Sequence, residues 1–349
     1  MNYTNTKRRR NFKLILILGL LSAIGPFSID MYLLWVSGYC RRFAYHCSKS
    51  FTIIIQLFIG ISAGQMLYGP LLDRFGRKRP LYIGITVYLI ASIGCALATS
   101  VDALIWLRLL QALGSCSGMV ASRAMVRDLF PVNENAKVFS LLMLVVGVSP
   151  IIAPTLGGYL SSEYSWHYVF IALTLMAAII LAAIHFYLPE SRKPDLTFSL
   201  RPKPIINSFL HVAKDPQFYT YALTGSVASA GLYAYISGSP SVFMEIYKVT
   251  EQQYGWIFAI VAIGLITSSQ LNTLLLRKYK SEQIIVIALL CQSLAGIILF
   301  TGSMFGFLGL HSTVFLCFIF LSCRVLLFQI PLHFLLLLLA KQQAVRLLC

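Results

Sequence analysis

Gly69-Pro70-Leu71-Leu72-Asp73-Arg74-Phe75-Gly76-Arg77-Lys78-Arg79-Pro80 places four cations and one acid in a short connection between two long apolar runs. The runs on either side, residues 51–71 and 81–99, each approach the length a helix needs to cross a hydrocarbon core about 30 Å thick. A connection this short and basic belongs on the cytoplasmic side of a membrane. Gly76 lets the backbone turn tightly. Asp73 is placed to accept hydrogen bonds from neighbouring Arg side chains or from a helix N-terminus. A bare cluster of Arg and Lys would mark topology alone; the ordered pattern Gly-x-x-x-Asp-Arg-x-Gly-Arg-Lys, from Gly69 to Lys78, says more.

Outward from this turn, apolar runs and polar breaks alternate. Of 349 residues 58% are hydrophobic and 11% charged, with a mean hydropathy of +0.78. A soluble domain cannot hide that much apolar surface, so an all-α integral membrane protein is expected. The net charge of +16 does not point to nucleic acid, because the cations sit between apolar runs and not along one patch. The eight cysteines are scattered, with no CxxC pair, and read as small membrane-helix residues and not as metal ligands or disulfides.

Ten candidate spans cover 14–36, 51–71, 80–99, 103–122, 138–160, 166–188, 217–239, 255–276, 283–303 and 311–333. With the N-terminus inside, twenty Lys and Arg fall in inside segments and four (Arg41, Arg42, Lys49, Lys248) outside, which orients the chain with its N-terminus cytoplasmic. Lys7-Arg8-Arg9-Arg10 precedes an apolar run too long for the core of a cleavable signal, so that run is expected to stay as the first span. The polar stretch from Pro189 to Pro216 divides the chain into a six-helix repeat (1–190), a cytoplasmic linker (191–216) and a four-helix repeat (217–349).

The 69–80 string resembles the signature loop between helices 2 and 3 of major facilitator superfamily transporters. Two further strings, Gly25-Pro26-Phe27-Ser28-Ile29-Asp30-Met31-Tyr32-Leu33 and Gly64-Gln65-Met66-Leu67-Tyr68-Gly69-Pro70, are similar to the Bcr/CflA drug-resistance subfamily. The likeness covers most of residues 14–190 and continues more weakly to about 320. It implies a helical bundle with a midplane cavity between two repeats, the second incomplete here. It also implies export of bicyclomycin, chloramphenicol and related small drugs in exchange for protons, with the lipid bilayer and no nucleic acid as partner. The implied site is a bacterial inner membrane, the energy source is the proton gradient, and no cofactor or metal is expected. Oligomeric state is left open.

Asp30 is the one acid well inside an apolar run. A carboxylate near mid-membrane costs about 2.5–3.5 kcal/mol on insertion scales, so it normally faces a cavity. Withdrawn from water, it can serve as a proton or cation-substrate site, or it can make a structural hydrogen bond to a neighbouring helix. The resemblance implies proton coupling and substrate recognition for Asp30. Arg108, Gln111 and Gly114 recur at three-residue steps and so share one helix face. Arg108 stays charged when buried and would hold or bias an acid such as Asp30; the other reading is an Arg that snorkels to the outer interface. The family's helix 4 has a similar Arg-x-x-Gln-Gly pattern, in which Ala112 here replaces the Gly.

Gly147, Pro150, Pro154, Gly157 and Gly158 lie mid-span. The two prolines remove backbone donors on one face and permit a kink, and the glycines allow close helix approach. Their order resembles the motif that marks antiporters in the superfamily. In the basic turn, Gly69, Asp73, Arg74, Gly76, Arg77 and Lys78 are the expected gating residues. Arg123, Arg127 and Asp128 either pair with that turn or form a solvated helix end. Tyr219, Tyr221, Tyr233, Tyr235 and Phe243 either contact a flat drug or face lipid.

Two segments depart from the family pattern: residues 33–50, where Arg41 and Arg42 break the charge rule, and residues 324–349. Both are expected to be read out of frame, so that family spans 11 and 12 are absent and Asp73 lacks its usual partner at the start of helix 11. The alternative to an exporter is therefore a non-transporting truncated remnant.

Overall fold

The computed structural model describes residues 2–42, 47–195, 200–275, 278–279 and 281–327. The described residues form helices joined by short breaks, in two compact units, Met1–Ile205 and Ile206–Cys349.

In the first unit, α1 (Asn2–Arg42), α2 (Cys47–Phe75), α3 (Lys78–Ala96), α4 (Val101–Leu129), α5 (Val132–Glu163) and α6 (Trp166–Tyr187) follow in order. Local chemistry sets the breaks. Gly76 adopts φ +82° between α2 and α3, a conformation that costs glycine little. Ser100 caps α4, its hydroxyl accepting the Ala103 N–H at 3.2 Å, and Asp102 follows in the first turn. Pro131 precedes α5. Helix α1 packs against α4, α5 and α6, while α4 also takes α2 and α3. The main core joins Leu18, Leu21 and Ile24 of α1 to Ile85, Tyr88 and Met125. A second cluster joins Met31 and Tyr32 to Leu104, Ala153 and Phe170.

The second unit takes in α7 (Pro202–Ala213), which straddles the division between units, and α8 (Pro216–Pro240), which runs into a π-helical turn, Ser241–Ile246. Then come α9 (Glu251–Leu275), α10 (Ser281–Met304) and α11 (Leu310–Leu327). A capping box starts α9: the Thr250 hydroxyl accepts from the Gln253 N–H (3.3 Å) and the Gln253 carbonyl oxygen from the Thr250 N–H (3.1 Å).

Among the described residues nine helices are long and apolar enough to cross a membrane, one fewer than the ten expected spans. The exception is α8, over the expected span 217–239. It is a continuous helix, but its Tyr, Ser, Thr and Gly residues dilute its apolar character. Exposed apolar side chains such as Trp106, Ile179, Trp256 and Phe300 suit a lipid surround, where water is not the solvent. The backbone of α1 runs on to Arg42 and α2 begins at Cys47. Residues 43–46 and 328–349, the side chains of 33–54, and Arg277 and Lys280 of the second basic turn lie outside the described residues, and with them most of the out-of-frame reading.

Candidate functional site

Asp30 sits on α1, 3% exposed, and its Oδ2 accepts a hydrogen bond from the Ser149 hydroxyl of α5 at 3.3 Å. A carboxylate offers about four acceptor positions, and among the described residues no cation lies in ion-pair range of this one. An acid so enclosed and so sparsely satisfied is equipped to take a proton or a cationic group.

Arg108 does not supply the missing charge. Its guanidinium is 1% exposed and donates to the Gln111 side-chain oxygen (2.7 Å) and the Ser28 backbone carbonyl (3.0 Å). It lies 4.4 Å from the centre of the Tyr32 ring and 5.3 Å from that of Phe170, within cation–π range. Arg108 is therefore buried and held inside the bundle, not snorkelling. The expectation that it would hold Asp30 is corrected by helix geometry. Ser28 and Tyr32 are one turn apart on one face of α1, whereas Asp30 is about 200° round from Ser28. The network continues: Gln111 Nε2 donates to the Ser92 hydroxyl (2.7 Å), and the hydroxyls of Ser28 and Tyr88 meet at 2.6 Å. One face of α1 is thus tied to α3 and α4, and the opposite face presents Asp30 to α5.

Helices α1 and α5 approach closely beyond Asp30. A Cβ on Gly157 would run into the Met31 carbonyl, so only glycine allows this contact. Helix α5 is unbroken through Gly147, Pro150, Pro154 and Gly158.

The basic turn is a closed ionic network. Arg77, 5% exposed, donates through Nη1 to Asp73 Oδ1 and through Nε to Asp128 Oδ2, each at 2.8 Å. Burial by itself would lower the Arg77 pKa, but bonds and attraction from Asp128 and then Asp73 outweigh it and raise it. Asp128 therefore pairs with the turn and is not a free helix end. Asp73 accepts from a neighbouring Arg, as its place in the turn suggests: Arg77 and, at 3.5 Å, Arg192 both reach it. Lys78 lies over the Tyr82 ring at 5.7 Å, Arg74 lies beside Phe75, and Gly69 faces open space.

Glu190, just after α6, is the residue that sequence reasoning missed. Its carboxylate accepts the backbone N–H of Arg77 at 2.8 Å and that of Lys78 at 3.2 and 3.3 Å, at the start of α3. There it meets the positive end of the helix dipole. The available signal was an acid directly after an apolar run, at the start of a polar stretch that carries both charge signs. Replacing the exposed Glu190 by Ala is expected to lower stability by about 1 kcal/mol, and by Gln by about half that. Thermal unfolding in detergent reads the shift, and no shift in either variant removes the capping role. In the second unit, Tyr219 and Tyr233 are exposed, Phe243 is buried, and the Tyr221 side chain lies outside the described residues.

The model of the Major Facilitator Superfamily matches residues 49–345. An uncharacterized MFS-type transporter of Bacillus subtilis (strain 168) is 32% identical over 267 residues, covering 76% of this chain and 66% of the relative. A bicyclomycin resistance protein homolog of Haemophilus influenzae is 30% identical over 290 residues, 83% of this chain and 73% of the relative. A chloramphenicol resistance protein of Pseudomonas aeruginosa is 28% identical, over 82% of this chain and 67% of the relative. The chain thus spans about two thirds of the length of the first of these, 66%. A proton:xylose symporter bound to 6-bromo-6-deoxy-D-glucose superposes with a TM-score of 0.72 at 14% identity, over 92% of this chain and 80% of that one. At that identity the likeness is one of fold.

Proposed function

This chain belongs to the major facilitator superfamily of membrane transporters, and we propose that it exports small amphipathic drugs from a bacterial cell in exchange for protons. The observation that carries the reading is Asp30, a buried carboxylate with one neutral hydrogen-bond donor, on a helix held from its other face. The names of the two resistance relatives support the substrate class and make bicyclomycin and chloramphenicol the first compounds to test.

In this reading Asp30 exchanges protons with drug, and Arg108 with Gln111 anchors the Ser28–Tyr32 face of α1. The turn from Gly69 to Pro80 gates, and α5, through its Gly147–Gly158 stretch, flexes. The proton gradient supplies the energy with no cofactor. The membrane is the inner one, with the N-terminus cytoplasmic, as the excess of inside cations supports.

Inverted vesicles containing the full chain test this. Gradient-driven uptake of radiolabelled chloramphenicol or bicyclomycin, or of the fluorescent cation ethidium, abolished by a protonophore, is expected. Uptake that ignores the protonophore removes proton coupling. No uptake of any of the three beyond that of empty vesicles favours the second reading, a chain that inserts but does not transport.

A further inference from the structure

The second unit holds a half-open cavity of about 270 Å³ between α8, the π-helical turn, α10 and α11. The rings of Tyr235, Phe243 and Tyr247 line it together with the hydroxyls of Ser239, Ser303 and Thr313. Several of its polar groups are already used within the fold. Ser239 pairs with the Tyr254 hydroxyl at 2.8 Å; the Tyr247 hydroxyl meets the Leu308 carbonyl at 3.0 Å and Thr313 at 2.7 Å. Tyr235 differs. Its ring is stacked on Phe258, with centroids 5.9 Å apart, which fixes its direction; among the described residues its buried hydroxyl has only the Ser239 hydroxyl nearby, which is already taken by Tyr254, and makes no hydrogen bond of good geometry. A buried hydroxyl left unmatched is costly, so its presence on a cavity wall points to a guest. Gly238, nearly one turn further along α8, also lines the cavity, and a Cβ there would meet nothing within 4 Å. The π-helical turn that follows is a departure from regular helix of the kind often found at functional sites.

We propose that this cavity binds a small neutral aromatic compound that carries a hydrogen-bond acceptor, its ring packed among Tyr235, Phe243 and Tyr247 and its acceptor meeting the Tyr235 hydroxyl. Among the described residues no charged side chain lines the cavity, so an ion would be left uncompensated. A lipid acyl chain would fill the volume but leave the hydroxyl unmatched. The volume lies at the lower edge of the usual range for ligand pockets, about 300–1,000 Å³, which favours a single-ring compound. All the lining residues belong to the second unit, so the site does not depend on Asp30. Binding there is measured without transport, and its failure leaves the export reading standing.

The test is photolabelling of the full chain in proteoliposomes with 4-azidobenzamide, with benzamide as competitor and adducts mapped by peptide mass spectrometry. Adducts are expected on residues 234–247 and 299–317, with competition by benzamide. Gly238→Leu, which fills the space, is expected to abolish them, and the isosteric Tyr235→Phe, which keeps the wall and removes only the hydroxyl, to reduce them about fivefold. Adducts spread over exposed positions such as Trp256 and Phe300, or labelling indifferent to both substitutions, overturn the proposal.

Discussion

Asp30→Asn is expected to bring gradient-driven export down to the level of vesicles without protein while the chain stays folded. Asparagine keeps the shape of the side chain and an oxygen for the Ser149 hydroxyl, which lies 3.3 Å from the acid. It cannot take up or release a proton. The substitution therefore isolates titration from packing, as few changes at a buried site do. The unfolding midpoint should hold or rise, because an amide costs less to bury than an ionised carboxylate. Drug binding in the absence of a gradient should persist for neutral compounds, which separates loss of coupling from loss of the site. Coupled export that survives Asp30→Asn would remove proton exchange from this residue. Asp30→Glu keeps the titrating group but moves it by a methylene in a packed interface, and reduced but measurable export is expected from it.

The largest loss of stability is expected from Arg77→Met. The guanidinium bridges two carboxylates at 2.8 Å each, and its removal leaves Asp73 with the more distant Arg192 at 3.5 Å and Asp128 with the neutral Ser191 hydroxyl at 3.1 Å. Removing one partner of a buried ion pair costs about 3–5 kcal/mol. Here the side chains of Asp73 and Asp128 are 36% and 19% exposed, so water takes over part of the charge and about 2–3 kcal/mol is the expected loss. Lysine at this position offers a point charge in place of a planar fork and should recover about half. Combining Arg77→Met with Asp128→Asn should cost less than the sum of the single changes, since the second change removes one of the stranded charges. Thermal unfolding of the four proteins in one detergent measures this cycle. Strict additivity would mean that Arg77 and Asp128 do not act together, whatever their separation.

Much of the first unit could be read along the chain. The six apolar runs up to residue 188 each became a helix, and the turn at Gly76 was placed where the structure puts a positive φ. Asp30 and Arg108 were singled out by position alone, and both proved to be buried. Their pairing was misread. A basic and an acidic group in adjacent spans suggest an ion pair, but two residues along α1 turn the side chain to the far side of the helix, so Arg108 found Ser28 and Tyr32 and Asp30 found Ser149. The partners of Asp73 were expected among neighbouring Arg side chains. Two of them lie at Arg77, one turn along the same chain, and at Arg192, after α6.

What the chain alone determined is the set of quantities that depend on local order: which runs are apolar and long enough to be helices, where cations interrupt them, and where glycine must turn the backbone. Hydrophobicity and backbone conformation are properties of neighbours in sequence. The tertiary structure decided which polar atoms meet. Glu190 caps a helix whose first residue is 112 positions earlier, and the cavity beside Tyr235 is built from four elements spread over more than eighty residues. Contacts of that kind depend on how helices rotate and cross, and a rotation of a few tens of degrees exchanges one partner for another without changing a single apolar run.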